Sequence, residues 1–146
     1  MKILVIHGPN PNLLGKRDKD LYGTKTLEEI NALIEKRARE LGAEAVCVQS
    51  NGEGDLVDLI QSNTGGMNGI VINPGAFTHY SYALHDALLD TGLPVVEVHL
   101  SNIYARERWR RKSVISPIAL GVISGFGWRG YIAGLDLLVS RLNEKS

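Results

Sequence analysis

Cysteine is nearly absent from this chain: Cys47 stands alone among 146 residues, so no intramolecular disulfide can form, and the composition fits a reducing compartment. Its neighbours Ala45, Val46 and Val48 make it a packed strand residue rather than a reactive thiol. Net charge is missing too. Lys+Arg and Asp+Glu number 16 each, so no overall field draws the chain to nucleic acid or an anionic membrane, and this balance is compatible with self-association. No apolar run reaches membrane-spanning length, and the strand pattern that follows Lys2 lacks the longer apolar core and cleavage site of a signal peptide. These absences lead to the expectation of a soluble cytoplasmic protein whose partner is a small molecule or a second copy of the chain. Repeats, low-complexity segments and interdomain linkers are also lacking, and 146 residues suit one domain, 1–146, better than two.

What is present is a regular alternation. Strand patterns near 2–6, 44–49, 69–73, 94–99 and 119–124 are separated by helical ones, which implies parallel βαβ units. The first helix starts at a capping box, Thr26 and Glu29, presents Ile30, Leu33, Ile34 and Leu41 at helical spacing, and stops at Gly42. Leu56, Leu59 and Ile60 mark a second helix, residues 80–89 a third and 131–142 the last. The expected fold is α/β, a flavodoxin-like, doubly wound, five-stranded parallel sheet of order 2-1-3-4-5. Residues 11–25 form a long polar connection, of the kind that often serves as a lid.

In such sheets ligands bind at the carboxyl ends of the strands. Three apolar runs end there in polar groups: Ile3–Ile6 into His7-Gly8-Pro9-Asn10, Gly69–Ile72 into Asn73-Pro74-Gly75, and Pro94–Val98 into His99-Leu100-Ser101-Asn102. Strand alternation puts Glu97, His99 and Ser101 on one side, lining one edge of a crevice, provided the extended backbone continues that far. Glu97 can then fix the tautomer of His99 or favour its charged form, which suits a general acid. A histidine satisfied by a neighbour at a strand end is the plainer alternative. The loop Asn73–His79 can offer backbone N–H groups to an anion, although Thr78 can equally be a helix cap and His79 a surface residue. Asn10 and Asn12 can be turn residues around Pro9 and Pro11. In the lid, Arg17 can favour the phenolate of Tyr22, and lid closure can deliver that base; a solvent-facing pair is the alternative. The basic run Arg106–Lys112 reads mainly as a solvated turn or subunit contact, with one arginine able to clamp a carboxylate.

Other patterns are missing or out of context. Gly125-Phe126-Gly127-Trp128-Arg129-Gly130 matches a dinucleotide fingerprint only formally, because no strand follows to supply the partner acid; a tight turn into the last helix explains it better. There is no nucleophile elbow, no P-loop, and no metal-ligand spacing among His7, His79, His85 and His99. No lysine sits inside an apolar strand, which disfavours Schiff-base chemistry. The remaining expectation is acid and base chemistry with no cofactor and no metal.

Over essentially its whole length the chain resembles type II 3-dehydroquinate dehydratase. The resemblance is carried by His7-Gly8-Pro9-Asn10, Leu13-Leu14-Gly15-Lys16-Arg17, Tyr22-Gly23, Gln49-Ser50-Asn51-Gly52-Glu53-Gly54, Ile72–His79, Glu97–Asn102 and Ser116-Pro117-Ile118-Ala119. It implies anti elimination of water from 3-dehydroquinate, through an enolate, to 3-dehydroshikimate in the shikimate pathway. It makes Tyr22 the base that takes the proton beside the ketone, Arg17 the group that holds the lid and stabilises the phenolate, and His99, oriented by Glu97, the acid for the departing hydroxyl. It also implies that Asn10 holds a water against the enolate oxygen, where negative charge develops. Asn73, His79, Leu100, Ser101 and Arg110 match substrate-binding positions, as does Asp86, which in this family can come from a neighbouring subunit. A homo-oligomer, a dodecamer built from trimers, is implied as well. Pro11 stands where the family usually has leucine and Asp18-Lys19 where Glu-Pro is common, and both departures bear on lid motion.

The competing class is a flavodoxin-like binding or signalling module. A receiver domain needs an acidic cluster after strand one and a lysine after strand five, and a flavin protein needs a hydroxyl-rich phosphate loop after strand one; this chain has His7-Gly8-Pro9-Asn10 and Ser124-Gly125 there. A serine hydrolase built on Ser101 is the other enzymatic alternative, but neighbouring elements alone do not make a triad.

Overall fold

Three largely aliphatic runs, buried apart from Lys2 at the start of the first, form the centre of the molecule and set its architecture. In the computed structural model, which describes residues 1–11, 14–15 and 24–145, these are β1 (Lys2–His7), β3 (Gly69–Asn73) and β4 (Val95–His99). Strands covered on both faces need no polar alternation, which is why they read as continuous aliphatic stretches. The edges are β2 (Glu44–Gln49) and β5 (Gly121–Ser124), and the fully parallel order β2-β1-β3-β4-β5 is the expected one.

Side-chain alternation divides the core in two. Ile3, Val5, Val71, Val96 and Val98 face α1 (Leu27–Glu40) and α4 (Arg129–Glu144), packing against Ile30, Ile34, Tyr131, Leu135 and Leu138. Leu4, Ile6, Ile70, Ile72 and Val95 face α2 (Glu53–Asn63) and α3 (Tyr82–Asp90), against Leu56, Ile60, Leu84 and Leu88. The same parity places His7 and Asn73 on the α1/α4 face and Glu97 and His99 on the α2/α3 face. Polar residues from both faces therefore meet just beyond the carboxyl ends of the strands.

Local chemistry sets the boundaries. Thr26 caps α1, its hydroxyl oxygen accepting from Glu29 N at 3.2 Å, and Gly42, at φ 75°, follows the last turn. The third helix starts later than its pattern predicts: Gly75–His79 form a 3-10 helix, and Ser81, not Thr78, is the cap, accepting from Leu84 N at 3.1 Å. The Gly125–Gly130 segment is a tight turn, with positive φ at Gly125 and Gly127, leading into α4, as expected. Where β1 and β3 end, Gly8 is required: a Cβ there would lie 2.6 Å from the Pro74 carbonyl oxygen, and Gly8 N donates to Asn73 O at 2.7 Å. Among the described residues, no helix is long and apolar enough to cross a membrane.

Candidate active site

At the end of β4 the Glu97 side chain has no exposed surface, and its carboxylate is ringed by donors. His99 Nε2 lies 2.5 Å from Oε2, Thr78 Oγ1 2.7 Å from Oε2, and Ser113 and Ser116 Oγ each 2.9 Å from Oε1. Proton accounting settles the direction of these bonds. The Ser113 oxygen already accepts from the backbone N–H groups of Ile115 and Ser116, so it has no lone pair left for Thr78, whose single proton goes to Glu97 Oε2, while Ser113 donates its own proton to Glu97 Oε1. Burial by itself raises the Glu97 carboxyl pKa, but the His99 bond and charge, with the Thr78 and Ser113 hydroxyls, outweigh it and hold the group below its ordinary range. An ionised Glu97 accepts only, so Nε2 of His99 carries a proton and the other ring nitrogen is left for the pocket.

That pocket is lined by Pro9, Asn10, Pro11, Leu14, Asn73, Gly75, Ala76, His79, His99, Leu100, Ser101, Ile103, Arg106 and Arg110. The three expected strand-end loops converge on it. Asn10, the one described non-glycine residue with positive φ (77°), is held by its N–H, which donates to Asn51 Oδ1 at 2.9 Å; Gln49 Nε2 donates to the same oxygen at 3.0 Å. Gly75, at φ 60°, packs against Pro9 and brings this loop against the one that follows β3. The hydroxyl oxygen of Ser101 accepts from Arg106 Nη1 at 3.2 Å. His79 donates through Nδ1 to Lys112 O at 2.6 Å and meets Trp109 edge-on, and the Arg110 guanidinium lies 4.0 Å over the same indole while bonding Glu107. Burial lowers the His79 pKa, with further lowering from His99 and Arg110, and Arg106 and Arg110 bring two guanidinium groups to the pocket. A carboxylate-bearing ligand matches this lining.

Of the residues singled out from the sequence, Asn10, Asn73, His79, His99, Leu100, Ser101 and Arg110 come together here. Glu97 does not line the crevice as expected: it sits behind His99, enclosed by hydroxyls. β4 ends at His99, and Ser101 reaches the pocket from a bend rather than from a continuing strand. Asp86 is on α3, outside this pocket, with an exposed carboxylate that accepts from His85 Nδ1 at 2.8 Å. Asn12, Arg17 and Tyr22, with most of the lid, lie outside the described residues. Sequence reading did not single out Arg106 within its basic run, nor Thr78, Ser113 and Ser116 as partners of Glu97. A buried carboxylate in an otherwise aliphatic strand was the one available signal that donors had to be found for it.

The model of the family described as "Dehydroquinase class II" matches residues 1–139. A 3-dehydroquinate dehydratase from Pelotomaculum thermopropionicum is 57% identical over 135 residues, covering 92% of this chain and 94% of that protein. Another from Roseiflexus castenholzii is 53% identical over 139 residues, covering 95% and 88% respectively. Among solved structures, the type II dehydroquinase of Butyrivibrio crossotus superposes with a TM-score of 0.91 at 47% identity, covering 94% of this chain and 97% of that one. By sequence match over nearly its full length, by sheet order and by the convergence of its polar strand ends, the chain belongs to the class II dehydroquinase family.

Proposed function

We propose that this chain removes water from 3-dehydroquinate to give 3-dehydroshikimate, a step of the shikimate pathway, by anti elimination through an enolate. The observation that carries the chemistry is the buried Glu97–His99 pair opening on a pocket with two arginines. Tyr22, its phenolate favoured by Arg17, takes the proton from the carbon beside the ketone, and the freed electron pair moves onto the ketone oxygen. A water held by Asn10 donates to that oxygen where charge develops. The enolate then reforms the ketone, the carbon–carbon double bond closes, and the bond to the neighbouring carbon's hydroxyl breaks. That hydroxyl leaves as water with the proton from His99. The acid form of His99 is an imidazolium, and ionised Glu97 stabilises its charge from behind while fixing the ring.

Asn73, His79, Leu100, Ser101 and Arg110 hold the substrate's hydroxyls and carboxylate in this reading, with Asp86 contributed by a neighbouring subunit. The protein then works as a homo-oligomer, a dodecamer of trimers, in the cytoplasm, without a cofactor. Support for self-association comes from exposed apolar side chains at the β5 edge and beyond it, Leu120, Val122, Phe126 and Leu137.

Two variants test the assigned roles with 3-dehydroquinate as substrate. Tyr22→Phe is expected to lose nearly all turnover while still binding the substrate. His99→Ala is expected to lower kcat by roughly 10²–10⁴-fold, the usual weight of a positioned acid. Near-normal turnover in either variant removes that residue from the mechanism.

A further inference from the structure

Two buried polar side chains take no part in the proton transfers above. His7, at the end of β1, has no exposed surface, and Tyr131, in the first turn of α4, is 1% exposed; their rings meet edge-to-face with centroids 4.9 Å apart. The Tyr131 hydroxyl lies 2.8 Å from His7 Nδ1 and 3.0 Å from Asn73 Nδ2. His7 Nε2 lies 2.7 Å from Asn31 Oδ1 on α1, and Asn73 Oδ1 lies 3.1 Å from Gly75 N.

One end of this row fixes the direction of all of it. The Gly75 N–H can only donate, so the amide atom of Asn73 facing it is the oxygen and the atom facing Tyr131 is the nitrogen. The Tyr131 oxygen therefore accepts from Asn73, and its own proton goes to His7 Nδ1. That leaves the ring proton of His7 on Nε2, donating to Asn31. Burial pushes His7 down to about 4 and the Tyr131 phenol well above its ordinary range, so at neutral pH neither ionises and the row keeps its polarity.

Asn73 also lines the pocket, and the row uses only one of the two hydrogens on its Nδ2. We propose that His7 and Tyr131 are positioning residues that lock the Asn73 amide in one orientation, so that its second Nδ2–H is offered to an oxygen of the substrate. A flipped amide would set nitrogen against the Gly75 N–H, donor against donor, and would offer the ligand a carbonyl oxygen instead. The inference rests on the reading of Asn73 as a substrate-binding residue.

Tyr131→Phe deletes the hydroxyl and keeps the ring. Its KM for 3-dehydroquinate is expected to rise roughly 3- to 10-fold, the size of one neutral hydrogen bond, with kcat within about twofold of the parent. In an Asn73→Ala background the same substitution is expected to leave KM unchanged, because the residue it acts through is gone. A hydroxyl with a merely structural role would lower kcat through the active fraction, spare KM, and act independently of Asn73; that outcome overturns the proposal. The nitrogen-15 NMR spectrum of His7 in the unaltered protein supplies a readout that needs no variant to fold. The Nε2-protonated tautomer alone is expected, and a tautomer mixture or an Nδ1 proton overturns the row. A parent protein that shows this tautomer but does not turn over 3-dehydroquinate sinks the functional reading on which the inference rests. A parent that turns over the substrate but shows mixed tautomers sinks the inference alone.

Discussion

A carboxylate without exposed surface survives only if donors replace the water it has lost, and Glu97 has four: the His99 ring and the hydroxyls of Thr78, Ser113 and Ser116. His7 represents the opposite solution, a base whose burial keeps it neutral, with its pKa lowered from 6.5 to about 4. The sign of its contribution follows from linkage. Between pH 6.5 and 4 the unfolded chain binds a proton at this ring that the folded chain does not, so stability present above 6.5 is lost as pH falls through about 4. The shift corresponds to roughly 3 kcal/mol at about 1.4 kcal/mol per unit. Urea unfolding across this window is expected to show the loss in the parent and a much smaller one in His7→Gln; equal slopes would contradict the assignment. His79, also lowered by burial, supplies a smaller loss in the same direction that both proteins share.

At the scale of elements, the site depends on how closely the ends of β1 and β3 approach. Gly8 sits against Pro74 with no space for a methyl group, and its N–H pairs with Asn73 O. Gly8→Ala is expected to cost roughly 1–3 kcal/mol as an overpacked position and to shift Asn10 and Asn73 apart, so its loss of kcat/KM should exceed its loss of stability. Parental kinetics in that variant would show that the approach is not needed. The strands, the sheet order and the polar residues at strand ends were legible in the sequence because they are short-range features: aliphatic runs, a capping box at Thr26–Glu29, and an amide or imidazole where each run stops. The start of α3 was misplaced because a 3-10 segment carries no 3.6-residue period and Thr78 looks like a cap until Glu97 is seen to need its hydroxyl. Partners brought from far along the chain leave no local trace. Ser113 and Ser116 reach Glu97, and Tyr131 reaches His7 across 124 positions, only through the tertiary fold. Arg106 could not be told from its basic neighbours because exposure, rather than spacing, separates them. The roles of Tyr22 and Arg17 rest on the family resemblance, since no periodicity or spacing assigns them.

At the scale of the molecule, two half-cores on either side of one parallel sheet bring different chemistry to the same rim. The α2/α3 face brings the Glu97–His99 pair, and the α1/α4 face brings Asn73 with its buried supports. Asp86 does not reach the pocket of its own chain, and apolar side chains remain exposed at the β5 edge. If the proposed dodecamer forms, sedimentation is expected to give a particle of twelve chains of 16.0 kDa each. A fully active monomer would contradict both the proposed assembly and the shared Asp86.

The most direct test of the central claim is a continuous ultraviolet assay of the purified protein with 3-dehydroquinate. Growth of the conjugated enone carboxylate absorbance of 3-dehydroshikimate at an enzymatic rate is expected. Folded protein that yields no such product, beside a control enzyme that does, would contradict it.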